Sequence, residues 1–395
     1  MKKRFNLRYL VSMLLVLAVV PACTKTYEKR VQEAVDVILD TTKAVGLAVA
    51  VVKDGKIVYT ASFGKKNIEQ GTIIAKEDIF RIASISKSFT TTALMTLVEK
   101  GSVGLDMDVS DLVGFKVRNP KFPDVVITVK MLLSHTASLN DTQGYFKLDV
   151  LNPEKNPDFA KCYNDYEPGT KYEYCNLGFN TIGAIVEKYS GVRFDNYVRE
   201  VVLKPLGLYA GFNPDSLDST RFVTLYNYEP VDTLPGSEKI FKPQPMAYVS
   251  RAKDIDSGYV MGYSTPLFSP TGGMKISAQG LAQYMIMHMN YGADPVSGVR
   301  IISEESAKLM QTPVVVTKDE NTYCLALTKV KNLIPGETMT GHTGSAYGLY
   351  SAMFFEPEKK FGFVMITNGC PPVYKNGFTT IQGDVIRALY DIFIK

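Results

Sequence analysis

The chain has 395 residues, 46% of them apolar and 21% charged, with 44 basic against 40 acidic side chains. So even a balance, without a basic stripe, excludes nucleic acid and strongly charged polymers as partners. Length and apolar content suffice for a large core, in two lobes or one elaborated domain.

Met1-Lys2-Lys3-Arg4 is basic and leads into an apolar run from Leu10 to Val20 that is too short to span a bilayer as a mature helix. This is a secretory signal pattern. It ends at Val20-Pro21-Ala22-Cys23, which resembles the bacterial lipoprotein signal, where the cysteine after a small residue is lipidated; Pro21 departs from the usual pattern. The expectation is a signal peptide over 1–22, lipidation of Cys23, a tether over 23–30, and an exported protein held at a membrane by lipid alone, on the periplasmic or cell-surface side. An ordinary cleaved signal with Cys23 incidental is the alternative. Without residues 1–22 the chain loses Lys2, Lys3, Arg4 and Arg8, and 40 charges of each sign remain. Cys162, Cys175, Cys324 and Cys370 are spread too thinly for a disulfide scaffold and read as mostly buried thiols, with three pairings formally open.

In chain order, Val31, Val35, Ile38 and Leu39 repeat at helical spacing, and Val45 to Val52 reads as a buried strand. Asp54-Gly55 suits a tight hairpin turn, with Ile57 to Phe63 returning as the second strand. Helical patterns and polar loops then dominate from about Arg81 to Tyr291. One helix carries Phe89, Ala93 and Leu97 and ends at Gly101; another carries Ile182, Ile185, Val186 and Tyr189 before Gly191. Strand signals return over Tyr323–Val330, Leu349–Phe355 and Phe361–Thr367, and Ile381, Val385, Leu389 and Ile392 close the chain as a helix. Strands at both ends and helices between them predict an α+β fold: one antiparallel sheet built from both termini and flanked by helices, with an inserted, mostly helical lobe. The α/β lobe is expected over about 31–80 and 293–395, the helical lobe over about 81–292, and the site in the cleft between them.

A serine hydroxyl needs a base held against it, and a helix offers one at i+3. Ser84-Ile85-Ser86-Lys87 supplies that pair. Ser62 to Lys65 and Ser250 to Lys253 share the spacing, but only Ser84 stands at the start of an apolar-periodic helix, where N–H groups favour developing negative charge. The plain alternative for Ser84 is an N-cap. Tyr174-Cys175-Asn176 offers a phenol to relay a proton and an amide to hold Lys87 or substrate; Tyr374-Lys375-Asn376 repeats the pattern. His342-Thr343-Gly344-Ser345 occurs once, where Gly344 permits close approach of a substrate and the Ser345 N–H can pair with that of Ser84 as an oxyanion hole.

In this order the three segments resemble the serine β-lactamase and penicillin-binding-protein superfamily, specifically its class C-like branch. The likeness also takes in Phe80-Arg81-Ile82-Ala83, Leu132-Leu133-Ser134-His135-Thr136, Pro168-Gly169-Thr170, Pro205-Leu206-Gly207-Leu208, Gly272-Gly273 and Thr367-Asn368-Gly369. It implies a β-lactamase/transpeptidase-like catalytic domain over 31–395, with Ser84 as nucleophile, Lys87 as base and Tyr174 as proton relay. Asn176 would orient, His342 would lie near the substrate, and the N–H groups of Ser84 and Ser345 would form the oxyanion hole. Histidine replaces the lysine that opens the third segment in class C β-lactamases proper and looks more like the esterases, D-amino-acid peptidases and amidases of the family. Cys175 and Ala137-Ser138 are further departures.

The expected activity is that of a serine hydrolase or acyltransferase acting through an acyl-enzyme on a small-molecule or D-amino-acid-peptide ester or amide, with water or a small alcohol or amine as acceptor. A β-lactamase or D-Ala-D-Ala carboxypeptidase is one alternative; a binding or sensory protein on the same fold is another. No cofactor is expected, and three dispersed histidines without a His-Glu-x-x-His pattern argue against a catalytic metal. His135 reads as structural. Substrate choice is expected in the loops 140–166 and 209–270, whose tyrosines, phenylalanines and prolines suggest an aromatic-walled pocket.

Overall fold

The computed structural model describes residues 27–229, 240–317 and 320–395. The signal pattern and Cys23 lie outside them. A helix over 27–42 (α1) precedes the hairpin of β1 (Gly46–Lys53) and β2 (Lys56–Asn67). Its turn is the predicted Asp54-Gly55, with φ of 52° and 70°, so both central residues are left-handed. The central region holds α2 (Ser86–Glu99), α3 (Asn176–Ser190) and α4 (Ala278–Met289), with many short helical turns. The chain closes with β3 (Met339–Ala346), β4 (Leu349–Glu356), β5 (Phe361–Thr367) and α5 (Thr380–Phe393).

Among the described residues the main sheet has nine strands, all pairs antiparallel, in the order Thr72–Ile73, β2, β1, β5, β4, β3, Thr328–Val330, Thr322–Tyr323, Val315–Val316. The two chain ends meet where β1 pairs with β5, Leu47 opposite Thr367 and Val52 opposite Gly362. Alternate residues of these strands face opposite sides. Leu47, Val49, Val51, Phe363 and Met365 pack with Val31 and Val35 of α1 and Ile381, Val385 and Leu389 of α5. Ala48, Ala50, Val52, Val364 and Ile366 face the other way, toward Leu281, Met285 and Met289 of α4 and the helical region beyond. Both faces are covered, which is why these strands read as continuous apolar runs.

The predicted α+β architecture is therefore the observed one. Local departures are few. Tyr323–Val330, read as one strand, is a tight hairpin whose strands Thr322–Tyr323 and Thr328–Val330 are joined through Cys324 N–H to Leu327 O at 2.8 Å, with Ala326 at φ 62°. All the turn residues are buried and apolar, so no glycine, proline or polar residue marks it. The central region also carries two small antiparallel pairs, Phe80–Arg81 with Lys275–Ile276 and Tyr226–Glu229 with Ile240–Pro243. All four described cysteines are free and buried.

Candidate active site

Ser84 stands in a single 3-10 turn, Ala83–Ile85, directly before α2. The N-cap position of α2 is Ile85 and no side chain caps it, so the plain capping role for Ser84 does not hold. Ala83 sits at φ 47°, a conformation that costs a non-glycine residue about 1–2 kcal/mol, and its surroundings hold it there. Ile82 N–H donates to Met274 O at 3.0 Å, and Ser351 Oγ donates to Ile82 O at 2.9 Å. Gly344 lies opposite Ser351 in the β3–β4 ladder. A Cβ on Gly344 would run into Ile82 O and Ser351 Oγ, so the missing side chain is what lets β3 close on the serine turn.

Lys87 is fully buried one helical turn on. Its Nζ lies 3.2 Å from Ser84 Oγ, 2.9 Å from Asn176 Oδ1 and 3.0 Å from Thr271 O. Burial lowers its pKa to about 7 against the opposing pull of the Asp141 carboxylate. Two of the three partners are oxygens that only accept, so a neutral amine spends both hydrogens on them and turns its lone pair to the Ser84 hydroxyl.

Asp141 makes that orientation unambiguous, and no sequence pattern singled it out. Its Oδ2 accepts the Asn176 N–H and the Asn176 Nδ2, each at 2.9 Å, and its Oδ1 accepts the Leu177 N–H at 2.9 Å. With its amide nitrogen committed to Asp141, Asn176 must present oxygen to Lys87. Asp141 also supplies, from a distant segment, the acceptors that the first turn of α3 lacks, since no side chain at Cys175 caps it. The only available signal was a short polar residue just after the His135 segment; 35 positions separate it from Asn176.

Tyr174 lies over Lys87, with Nζ 4.7 Å from its ring centre. Burial pushes the phenol pKa far up, although the nearby Ser84 hydroxyl pulls the other way. Its hydroxyl is buried, directed at Ser84 but outside full hydrogen-bond geometry, and has no other partner among the described residues. It is thus a neutral phenol held in reserve. His135 shapes this wall: Nδ1 accepts the Cys175 N–H at 3.1 Å, its carbonyl accepts the Glu173 N–H at 2.9 Å, and its ring packs 4.3 Å from that of Tyr174. His288 is a core residue beside Tyr284. His342 projects from β3 and is 4% exposed; Nδ1–H donates to Thr343 O and Nε2 accepts from Tyr323 Oη at 3.2 Å. Burial, then the Lys87 charge, lowers its pKa to about 4, so the ring is neutral near pH 7.

A cleft of about 850 Å³ opens over these groups, and Ser84, Tyr174, Asn176, His342 and Ser345 all line it. Gly344 lies behind them against the serine turn. The loop 140–166 contributes Tyr145 and Phe146, as expected; of the described residues in 209–270, only Ser269 lines the cleft. Thr317, Asn321, Tyr323, Thr328 and Val330, which sequence reading did not assign to the site, form another wall. Of the competing motifs, Ser62 lies within β2, Ser250 precedes the short helix Ala252–Asp256, and Tyr374 is exposed on the two-residue strand Tyr374–Lys375.

The profile of the Beta-lactamase family matches residues 29–380, most of the chain. The chain belongs to the Beta-lactamase family. Members of this family are generally serine hydrolases. Penicillin-binding protein 4 of Amycolatopsis lactamdurans is 27% identical over 86% of this chain and 84% of its own length. Some relatives are longer: the chain spans 64% of one from Staphylococcus aureus. Among solved structures, the octameric penicillin-binding protein homologue from Pyrococcus abyssi superposes with a TM-score of 0.68 at 27% identity, covering 86% of this chain and 73% of that one. EstCE1, a hydrolase with promiscuous acyltransferase activity, superposes with a TM-score of 0.69 at 21% identity, covering 92% and 98%. That second likeness is one of fold.

Proposed function

We propose that this Beta-lactamase-family protein is a serine acyl-enzyme hydrolase or acyltransferase with Ser84 as nucleophile and Lys87 as base. The observation that carries the reading is the Lys87 amine, buried, lowered to about pKa 7 and in contact with Ser84 Oγ. As Ser84 Oγ bonds to the substrate carbonyl carbon, its proton passes to Lys87. The oxyanion is held by the N–H groups of Ser84 and Ser345, each such donor being worth about 2.7–4 kcal/mol of transition-state stabilisation. On collapse the carbonyl re-forms, the leaving alkoxide or amine departs with a proton from the Tyr174 phenol, and Lys87 restores that proton. Water, or an alcohol or amine, then attacks the acyl-enzyme by the reverse sequence.

The substrate class in this reading is a small-molecule or short-peptide ester or amide. EstCE1, a hydrolase with promiscuous acyltransferase activity on the same fold, supports acyl transfer to either water or another acceptor. His342 argues against β-lactam hydrolysis or D-Ala-D-Ala carboxypeptidase action as the main task, because a neutral ring tied to Tyr323 offers no charge to a substrate carboxylate at that point. A fluorophosphonate probe should add covalently to Ser84 in wild type and not in Ser84→Ala, with both proteins equally folded. An unlabelled wild type, under conditions that label a known serine hydrolase, would favour the non-catalytic binding protein. The basic and apolar run before Cys23 supports export and lipid anchoring, and the mass of the mature N-terminus tests both.

A further inference from the structure

Arg81 stands three residues before the nucleophile and is 5% exposed. Its guanidinium is held by neutral groups: Nε donates to Gly272 O at 2.8 Å, Nη1 to Ala247 O at 3.4 Å and Nη2 to Ser269 Oγ at 3.3 Å. It faces the ring of Tyr347 with 5.0 Å to the centre. Among the described residues no carboxylate lies within ion-pairing distance of it. Glu173, the one acidic residue lining the cleft among those described, makes no ion pair with it. Buried arginines are ordinarily paired, because desolvating a guanidinium is costly and a guanidinium keeps its proton.

A second cation makes the arrangement more unusual. Arg81 lies directly opposite Lys275 in a two-stranded ladder, and Lys275 is 3% exposed, with its ammonium given to Phe212 O. Like charges in directly opposed positions destabilise a strand pair. Burial, then the neighbouring guanidinium, pushes Lys275 well below the usual lysine range. Asp195 and Asp215 oppose this from further off, but Asp195 is engaged by Arg193 and Asp215 accepts the Arg251 N–H. Arg81 is thus a buried positive charge without a carboxylate partner among the described residues, and the residue opposite it in the ladder, Lys275, offers none. Of the five guanidinium N–H groups, three are accounted for. In front of it is the cleft, where Arg81, Ser269, Gly272, Tyr145 and Tyr347 form one stretch of wall beside Ser84.

We propose that Arg81 is the anion-binding element of this cleft and that the acyl substrate carries a carboxylate, seated on the guanidinium between Tyr145 and Tyr347. The assignment rests on the acyl-enzyme reading and names the substrate class within it. It places the charge recognition near the serine turn and Tyr347, away from the neutral His342. The substrate supplies the counter-ion that the protein lacks, and a charge-assisted pair with a buried guanidinium is bidentate and selective for planar oxyanions.

The test uses two matched ester pairs on purified residues 24–395, with each rate divided by that of hydroxide hydrolysis. One pair has the carboxylate on the acyl chain, mono-4-nitrophenyl glutarate against 4-nitrophenyl pentanoate. The other has it on the leaving group, 4-carboxyphenyl butyrate against phenyl butyrate. In at least one pair the charged ester should have a kcat/KM at least tenfold higher. Arg81→Gln should bring that ratio to within about twofold of one, and Arg81→Lys should keep part of it. The wild-type ratios are decisive by themselves, so the test stands even where Arg81→Gln fails to fold. Fluorophosphonate labelling of Ser84 is run alongside. Labelling without a preference for the charged ester in either pair overturns the Arg81 assignment alone. Absence of both labelling and turnover overturns the acyl-enzyme reading, and the Arg81 assignment with it.

Discussion

Lys87 binds three oxygens with one nitrogen, and its protonation state decides what Ser84 can do. Protonated, it donates to all three; neutral, it keeps Asn176 and Thr271 and accepts from Ser84. In the proposed mechanism Lys87 therefore serves as base above its pKa of about 7 and not below it. The kcat/KM of a simple ester should rise with pH through about 7 and level off above. A profile flat from pH 5 to 9 would contradict the assignment. Asp141 favours the protonated amine, so Asp141→Asn should move this rise to lower pH. The same change removes an acceptor from Asn176 or Leu177 and should lower kcat about tenfold, with a stability loss of about 1 kcal/mol from the weakened start of α3. A residue acting only as a helix cap would leave the position of the rise unchanged, which the pH profile reads directly.

At the scale of elements, the site depends on how closely β3 packs against the serine turn. Gly344→Ala places a methyl against Ile82 O and Ser351 Oγ and should push the Ser345 N–H away from Ser84. The expected outcome is a fall in kcat of about 10²–10³-fold, with about 1–3 kcal/mol lost from overpacking, measured by ester turnover and thermal unfolding. Elements of this kind were legible in sequence where residue chemistry is local. Asp54-Gly55 marked its hairpin, Gly191 closed α3 at φ 67°, and Ser84, Lys87, Tyr174, Asn176 and His342, singled out by spacing, context and family resemblance, gather at one cleft. What could not be read depends on chain crossings. Asp141 reaches Asn176 only through the fold, Arg81 meets neutral acceptors and no carboxylate among the described residues only because of its surroundings, and the buried turn at Cys324–Leu327 carries no polar or glycine signal.

On the scale of the whole molecule, the cysteines give a simple test of the core. Cys162, Cys175, Cys324 and Cys370 are buried and unpaired, and burial raises each thiol above its ordinary range. In residues 24–395, a thiol reagent such as DTNB should titrate none of them in the native protein and four after denaturation without reductant. Fewer than four after denaturation would mean that a disulfide forms. The sheet closes where β1 meets β5, and Ser351, which fixes the serine turn, comes 269 positions after Ile82. That separation gives the site a clock. At a synthesis rate of about 5–20 residues per second, Ser84 emerges tens of seconds before the strands that complete its surroundings. On the proposed reading, a nascent chain, or one clipped before β5, lacks the assembled site, and acylating power is expected only when synthesis is all but finished.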